Sequence, residues 1–514
     1  MPHANLPAPA FKAFILCGPG SGFETFCANP KDGPKALLPI ANRPMVWYPL
    51  DFCYRMGITE ISLIISPDSH EALDDALNQN PYLTSLPSPK PDIIAPPGLA
   101  QSSTAQIIGT AELFRFPEVQ AAIDSDFLVL PCDLLTELDP LAAYETWMTF
   151  QAEVAGMGAG AGRQGGLGFW YSVLDAERKK PKGAETDFVM TAAIARPAVV
   201  FPHAASLAHN TEQLLNAKSN ATLDDEVANH GALRIRNKAI EEFGRTRIER
   251  VYRDSHVYFF PRWAKELMAR NATFESMSED VIGAWAKASW QDGLAEKLGM
   301  QEYFDAATPN GSTADNGTAD VDIASMISTM SVHPPTLSTA FASRVPSSPS
   351  SSRSLLPPFL TYLHPPSPPA PLLRRIDTVP TLLLTTLHLA ALPPSSSPLT
   401  HTAKITHPHL VDPHARIDLP TTLLDANVTV GAHATVKECA VGANCSIGPG
   451  ARLLRCVLMD GVDVGANVTL SGCVVGRRAK LEGKERRAKG EQGTVLRDCV
   501  VRQVFLVEWG TEEK

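Results

Sequence analysis

The sequence predicts a two-part chain: a Rossmann-like α/β domain followed by a triangular parallel β-helix of hexapeptide repeats. Three observations predict it. A short apolar run, Phe11 to Leu16, leads directly into the glycine-rich turn Cys17-Gly18-Pro19-Gly20-Ser21-Gly22. A second apolar run from Asp126 to Leu130 is followed closely by the acidic residue Asp133. Near the C-terminus, aliphatic residues recur in steps of 6, 5 and 6, which sum to 17.

Bulk properties narrow the function classes. A chain of 514 residues suffices for two or three domains with large cores. A formal charge of −10 gives no basic footprint for DNA or RNA. Met1 to Ala10 has neither a basic n-region nor an apolar h-region, so no signal peptide is expected. The most apolar late stretch, Thr381 to Leu392, is too short to cross a bilayer. Nine cysteines without a C-x-x-C pair suggest neither a zinc site nor a disulfide framework, and a reduced cytosol is expected. The Asn-x-Ser/Thr sequons, Asn427 and Asn467 among them, are then chance matches.

Residues 11–305 are expected to form the α/β domain. Phe11 to Leu16 is short and apolar, as a buried parallel strand should be. A glycine turn at its carboxyl end lets a nucleotide phosphate approach the backbone. Two general phosphate motifs fail here: no Lys-Ser or Lys-Thr follows the glycines, and Phe23 stands where G-x-G-x-x-G needs its third glycine. Met45 to Met56 reads as a crossover helix, Ile58 to Ile65 as a strand, and Asp68 to Gln79 as a helix with Asp68 and Ser69 as capping residues. Ala105 to Phe114 is a short helix candidate.

The strand from Asp126 brings Asp133 to the usual ligand edge of an open sheet. A carboxylate there suits Mg²⁺ against a triphosphate, and equally suits capping of the next turn. Alternation over Leu233 to Arg236 and Arg247 to Phe260 suggests two strands. Trp263 to Arg270 and Glu279 to Lys287 read as closing helices.

Residues 306–403 change in composition. Serine and proline dominate 346–354, and proline runs recur at 365–369 and 393–398. Such sequence buries too little apolar area to offset ordering, so a mostly disordered linker is expected. Arg374 to Ala391 is the exception, a short ordered island.

Residues 404–506 carry the 17-residue repeat. Val430, Val436, Val441, Ile447, Leu453, Leu458, Val464, Leu470 and Val475 set its steps, and Cys439, Cys456 and Cys473 fall in register. A helix cannot produce this spacing; three short strands per coil can. The register resumes at Leu481, Leu496 and Val501 if Lys484 to Gln492 is a nine-residue insertion. The cysteine column is expected to be small apolar packing, because metal sites need convergent ligands.

Pro34-Lys35-Ala36-Leu37-Leu38-Pro39-Ile40-Ala41-Asn42-Arg43-Pro44-Met45 resembles the P-K-x-L-x-P-h-x-N-x-P-h signature of nucleotidyltransferases that make nucleotide sugars. Their first motif, G-G-x-G-T-R-L, is matched in its glycines but not in its arginine; the next arginine is Arg43. Cys132-Asp133 stands where these enzymes have G-D, and that Asp binds their metal. Asp254-Ser255-His256 replaces Asn-Ala-Gly near their sugar pocket, placing an imidazole where space is expected.

A nucleotidyltransferase-like domain with a left-handed β-helix is shared by sugar-nucleotide pyrophosphorylases, such as mannose-1-phosphate guanylyltransferase, and by the gamma and epsilon subunits of eukaryotic translation initiation factor 2B. The chain is most similar to the gamma subunits over about 11–300 and 404–505. Epsilon subunits carry a further acidic, aromatic-rich helical domain that performs exchange.

The resemblance implies two readings. As an enzyme, the chain would need an arginine after the glycine loop and Mg²⁺ on two carboxylates to neutralise charge at the α-phosphorus. Losing one such donor costs about 3–4 kcal/mol of barrier. The favoured reading is therefore a non-catalytic scaffold and regulatory subunit of the guanine-nucleotide exchange factor for initiation factor 2. It keeps a vestigial nucleotide site at Gly18, Gly20, Ser21, Lys35 and Asp133 and uses no cofactor or metal. Implied partners are an epsilon-like catalytic subunit, the other subunits of that complex and GDP-bound initiation factor 2. A membrane or a nucleic acid is not expected as a direct partner. A hexapeptide-repeat acyltransferase would need a basic His between coils, for which only His433 is a candidate.

Overall fold

The computed structural model describes residues 11–100, 108–157, 165–174, 185–194, 196, 200–233, 235–300, 302–305, 356–366, 370–484 and 493–513. Nine strands form the main sheet. They are β1 (Phe11–Cys17), β2 (Ile61–Ile65), β3 (Asp92–Ile94), β4 (Asp126–Pro131), β5 (Gly166–Ser172), β6 (Asp187–Ala192), β7 (Thr211–Ser219), β8 (Thr246–Phe260) and β9 (Phe359–His364). Their order is β3-β2-β1-β4-β8-β5-β9-β7-β6. β1 lies parallel between β2 and β4. β8 then runs antiparallel to β4, β5 and β6, so the sheet is mixed. The crossovers expected around β2 are present as α1 (Trp47–Met56) and α2 (His70–Gln79).

Two expectations are corrected. Residues 306–355 of the expected linker lie outside the described residues, but 356–366 and 370–403 are built into the fold. β9 inserts between β5 and β7. Its alternation places Leu360 and Tyr362 in one hydrophobic core and Phe359 and Leu363 in the core across the sheet. The flanking prolines dilute composition, yet six consecutive residues of β9 are buried. Further on, Leu373–Arg375 pairs antiparallel with Leu134–Thr136, and α3 (Val379–Ala391) opens on a Thr378/Thr381 capping box with Pro380 in its first turn. The second correction concerns Leu233 to Arg236. No strand forms among its described residues; Arg236 leads into a helix, Asn237–Phe243.

The C-terminal repeat is the left-handed β-helix that its spacing predicts. Three parallel sheets hold six, five and five strands. After first pairings at an offset of 19, such as Arg416 with Thr435, coils pair at an offset of 17, as in Thr435 with Arg452 and Arg452 with Thr469. Thr469 then pairs with Val495, an offset of 26, which is 17 plus the expected nine-residue insertion. Residues 485–492 themselves lie outside the described residues. Cys439, Cys456 and Cys473 are fully buried in the coil interior. Among the described residues no three His, Cys, Asp or Glu side chains converge as metal ligands.

The two parts share one core. The outward column Leu423, Ala440, Val457 and Val474 is buried with α3 against the α/β part. Signature residues 41–43 make several of the polar joints, beside bonds from Tyr82 to Asp425 and from Arg477 to the Leu37 carbonyl. Arg43 donates to the carbonyls of Leu399 (2.9 Å) and Thr400 (3.0 Å) and stacks 4.1 Å from the Trp47 ring. The Asn42 amide donates to Val441 O at 2.9 Å, and His401 donates to Ala41 O at 2.6 Å.

One coil corner is strained. Asn427, Asn444, Gly461, Arg478 and Val504 occupy equivalent corners, all at positive φ. Asparagine and glycine tolerate this region; a β-branched residue does not. Val504 has φ 53° and is 73% exposed. Val504→Asn is expected to stabilise the last coil by about 1 kcal/mol, read as slower amide exchange at Leu506 and Val507.

Candidate functional site

The site forms where β1 and β4 end. Gly20 sits at φ 79°, and a Cβ there would lie 3.0 Å from the Lys35 Cβ. The loop and Lys35 thus close on one another only because Gly20 lacks a side chain. Gly22 is required for a different reason. A Cβ on it would lie 1.9 Å from the Asp377 carbonyl oxygen. The segment following Leu373–Arg375 therefore lies directly on the glycine turn.

Of the residues singled out in the sequence, Lys35 and Asp133 meet. The Lys35 ammonium donates to Asp133 Oδ2 at 2.7 Å. Gly20 backs Lys35, while Gly18 and Ser21 are exposed on the loop. Arg375 is the residue that sequence reasoning missed. Its Nε reaches Asp133 Oδ1 at 3.2 Å and its Nη2 reaches Oδ2 at 3.3 Å. The Ile376 N–H donates to the Asp133 carbonyl at 2.9 Å. Asp133 is fully buried; Lys35 and Arg375 are 12% and 16% exposed. Between Arg353 and Lys404 the only Asp, Glu, Lys or Arg residues are Arg374, Arg375 and Asp377. That isolated charge cluster in apolar, proline-rich sequence was the available signal.

Electrostatics follow from this arrangement. Burial works against ionisation of Asp133, but the Arg375 and Lys35 charges prevail and hold its carboxyl well below the usual carboxylate range. Burial likewise opposes the Arg375 charge, and Asp133 overcomes it, holding the guanidinium protonated. The three groups form a closed ionic triad.

The triad does not fit a divalent cation. Both Asp133 oxygens accept from nitrogen donors, and two cations stand where a metal's charge would fall. Asp377, the other carboxylate on the overlying segment, is engaged by Arg253, which also pairs with Glu185.

His256 has φ 55°, the left-handed region that glycine takes freely. Its backbone N–H donates to Asp254 Oδ1 at 2.8 Å, and its ring stacks on Tyr258. Burial and then the Arg375 charge push its pKa well below the usual range, so the ring is neutral at pH 7. The imidazole therefore adds no cation to the site. It does not fill the space beside it: a cavity of about 410 Å³ is lined by Arg253, Asp254, His256, Arg375, Ser219 and Glu279, among others. By contrast, the space beneath the glycine turn, next to Lys35, is about 20 Å³.

Asp187 faces the larger cavity. Burial and then the Asp254 charge raise its pKa to about 7. A carboxyl raised on folding contributes stability that is fully present below its unfolded pKa and lost as pH rises through the folded value. Wild-type stability should thus fall from pH 4 to 7.5 more steeply than that of Asp187→Asn, measured as urea midpoints. For the triad, Asp133→Ala strands two buried cations and should cost about 3–5 kcal/mol. Arg375→Ala leaves Lys35 as partner and should cost less in the same assay.

Comparison with known proteins agrees with this architecture. Residues 405–509 match the family model described as GMPPB C-terminal domain. The chain is 23% identical over 300 residues to translation initiation factor eIF2B subunit gamma of Schizosaccharomyces pombe (strain 972 / ATCC 24843), covering 58% of this chain and 56% of that protein. The matched region thus spans little over half the length of this curated relative. Fold, repeat and relative point the same way: the chain is similar to the gamma subunit of eIF2B.

Proposed function

We propose that this chain is a subunit of a translation initiation factor. It acts as a non-catalytic scaffold and regulatory subunit of the exchange factor for initiation factor 2. It works in the cytosol beside an epsilon-like catalytic subunit and supports GDP release from initiation factor 2 through surface and geometry. The observation that carries this reading is the triad. Pyrophosphorylase chemistry needs a metal on two carboxylates and a free cation at the phosphates. Here Asp133 is neutralised by Lys35 and Arg375, and Arg375 arrives on a segment that overlies the glycine turn. Gly18, Gly20, Ser21, Lys35 and Asp133 are then remnants of a nucleotide cradle put to structural use.

The second reading, a mannose-1-phosphate guanylyltransferase, is favoured by the GMPPB C-terminal match and by retention of Lys35 and Asp133. The two readings separate in one assay. Purified protein given GTP, mannose 1-phosphate and Mg²⁺ should release no pyrophosphate above background, and tagged protein in its own cytosol should co-purify with four other subunits. Steady Mg²⁺-dependent turnover would replace the scaffold reading with the enzyme.

A further inference from the structure

A pair of cysteines beside the cradle has no part in the function proposed above. β1 and β4 run parallel with Leu16 opposite Pro131. The next residue on each strand is a cysteine, so Cys17 and Cys132 stand side by side where the strands leave the sheet. The Cys132 N–H donates to the Leu16 carbonyl at 3.0 Å, holding the turn against β1. The Cys17 thiol donates to the Ile15 carbonyl of its own strand at 3.9 Å. Neighbouring strands are spaced about 4.8 Å apart, inside the roughly 4.4–6.8 Å Cα range that a disulfide requires.

Access to the pair is asymmetric. Cys132 is 1% exposed, whereas Cys17 is half-buried and lines the cavity of about 20 Å³ beneath the glycine turn. Cys27 and Lys35 line the same space. A void of that size admits about one water molecule. Hydrogen peroxide is only slightly larger; a peptide disulfide such as oxidised glutathione is far too large.

We propose that Cys17 and Cys132 are a redox modification site, converted to a disulfide by hydrogen peroxide. The Cys17 sulfur attacks one peroxide oxygen and the O–O bond breaks. The departing hydroxide leaves with the Cys17 proton as water, and Cys17 becomes a sulfenic acid. The Cys132 sulfur then attacks the Cys17 sulfur, and the S–O bond breaks. That hydroxide leaves with the Cys132 proton as a second water. Two thiols are oxidised by two electrons, and one peroxide is reduced to two waters. The bond joins the residue before Gly18 to the residue before Asp133, tying the glycine turn to the base of the triad.

Peptide mapping of the full chain under non-reducing conditions tests this. After limiting peroxide, the expected product is a Cys17–Cys132 linked peptide, formed at least ten-fold faster than any product of equimolar oxidised glutathione at these residues. Prior unfolding in urea should abolish that preference. In Cys17→Ser, Cys132 should stay reduced, as its buried position requires. Oxidation of Cys17 to a sulfinic acid without the cross-link would overturn the proposal. So would glutathione coupling to Cys17 as fast as peroxide reacts. The wild-type map decides the matter even if the variant folds poorly.

Discussion

The carboxylate of Asp133 organises the centre of this molecule. A fully buried ion is costly unless its charge and lone pairs are met. Here Lys35 meets it from the signature loop and Arg375 from a segment more than two hundred residues later. Each cation is mostly buried too, so none of the three can leave without stranding the others. This mutual dependence draws Leu373–Arg375 onto the edge of Leu134–Thr136 and lays the following backbone across Gly22. The edge at which open α/β sheets usually hold ligands is thereby filled from within the chain.

The signature from Pro34 to Met45 serves two ends. Its first part, with Lys35, serves the triad. Its second part faces away and binds the C-terminal half: Ala41, Asn42 and Arg43 meet His401, Val441, Leu399 and Thr400 through main-chain hydrogen bonds. The carbonyl partners of Asn42 and Arg43 are indifferent to side-chain identity, whereas the bond to the Ala41 carbonyl depends on the His401 ring. A chain that no longer needed the cradle for chemistry would still need the signature for assembly. On the scaffold reading proposed above, this accounts for a signature kept almost whole beside a glycine turn that lacks the arginine of the nucleotidyltransferases it resembles.

The β-helix contributes rigidity in one direction. Each coil's inward residues are covered only by the neighbouring coils, so burial and backbone pairing propagate along the stack. Outward residues on one sheet column, from Leu423 to Val474, extend the α/β core instead. The two halves are thus welded along a side of the solenoid, with the other faces left to solvent or partners. In the coil that contains Val504, that residue, Phe505 and Leu506 are exposed.

By itself the sequence determined whatever rests on local periodicity. Strand β1 and its glycine turn, the strand leading to Asp133, the 17-residue coil and even the nine-residue insertion follow from spacing, because backbone geometry converts spacing directly into which side chains share a face. Composition misled over 356–366, whereas the island expected from Arg374 to Ala391 is ordered. A window rich in proline and serine hides a short apolar run, and whether such a run orders depends on a vacant place in a sheet, which no local pattern encodes. Tertiary structure alone decided that β9 fills the gap between β5 and β7, and that Arg375 joins Lys35 on Asp133. Contacts of that separation in sequence are set by packing and charge balance across the whole fold.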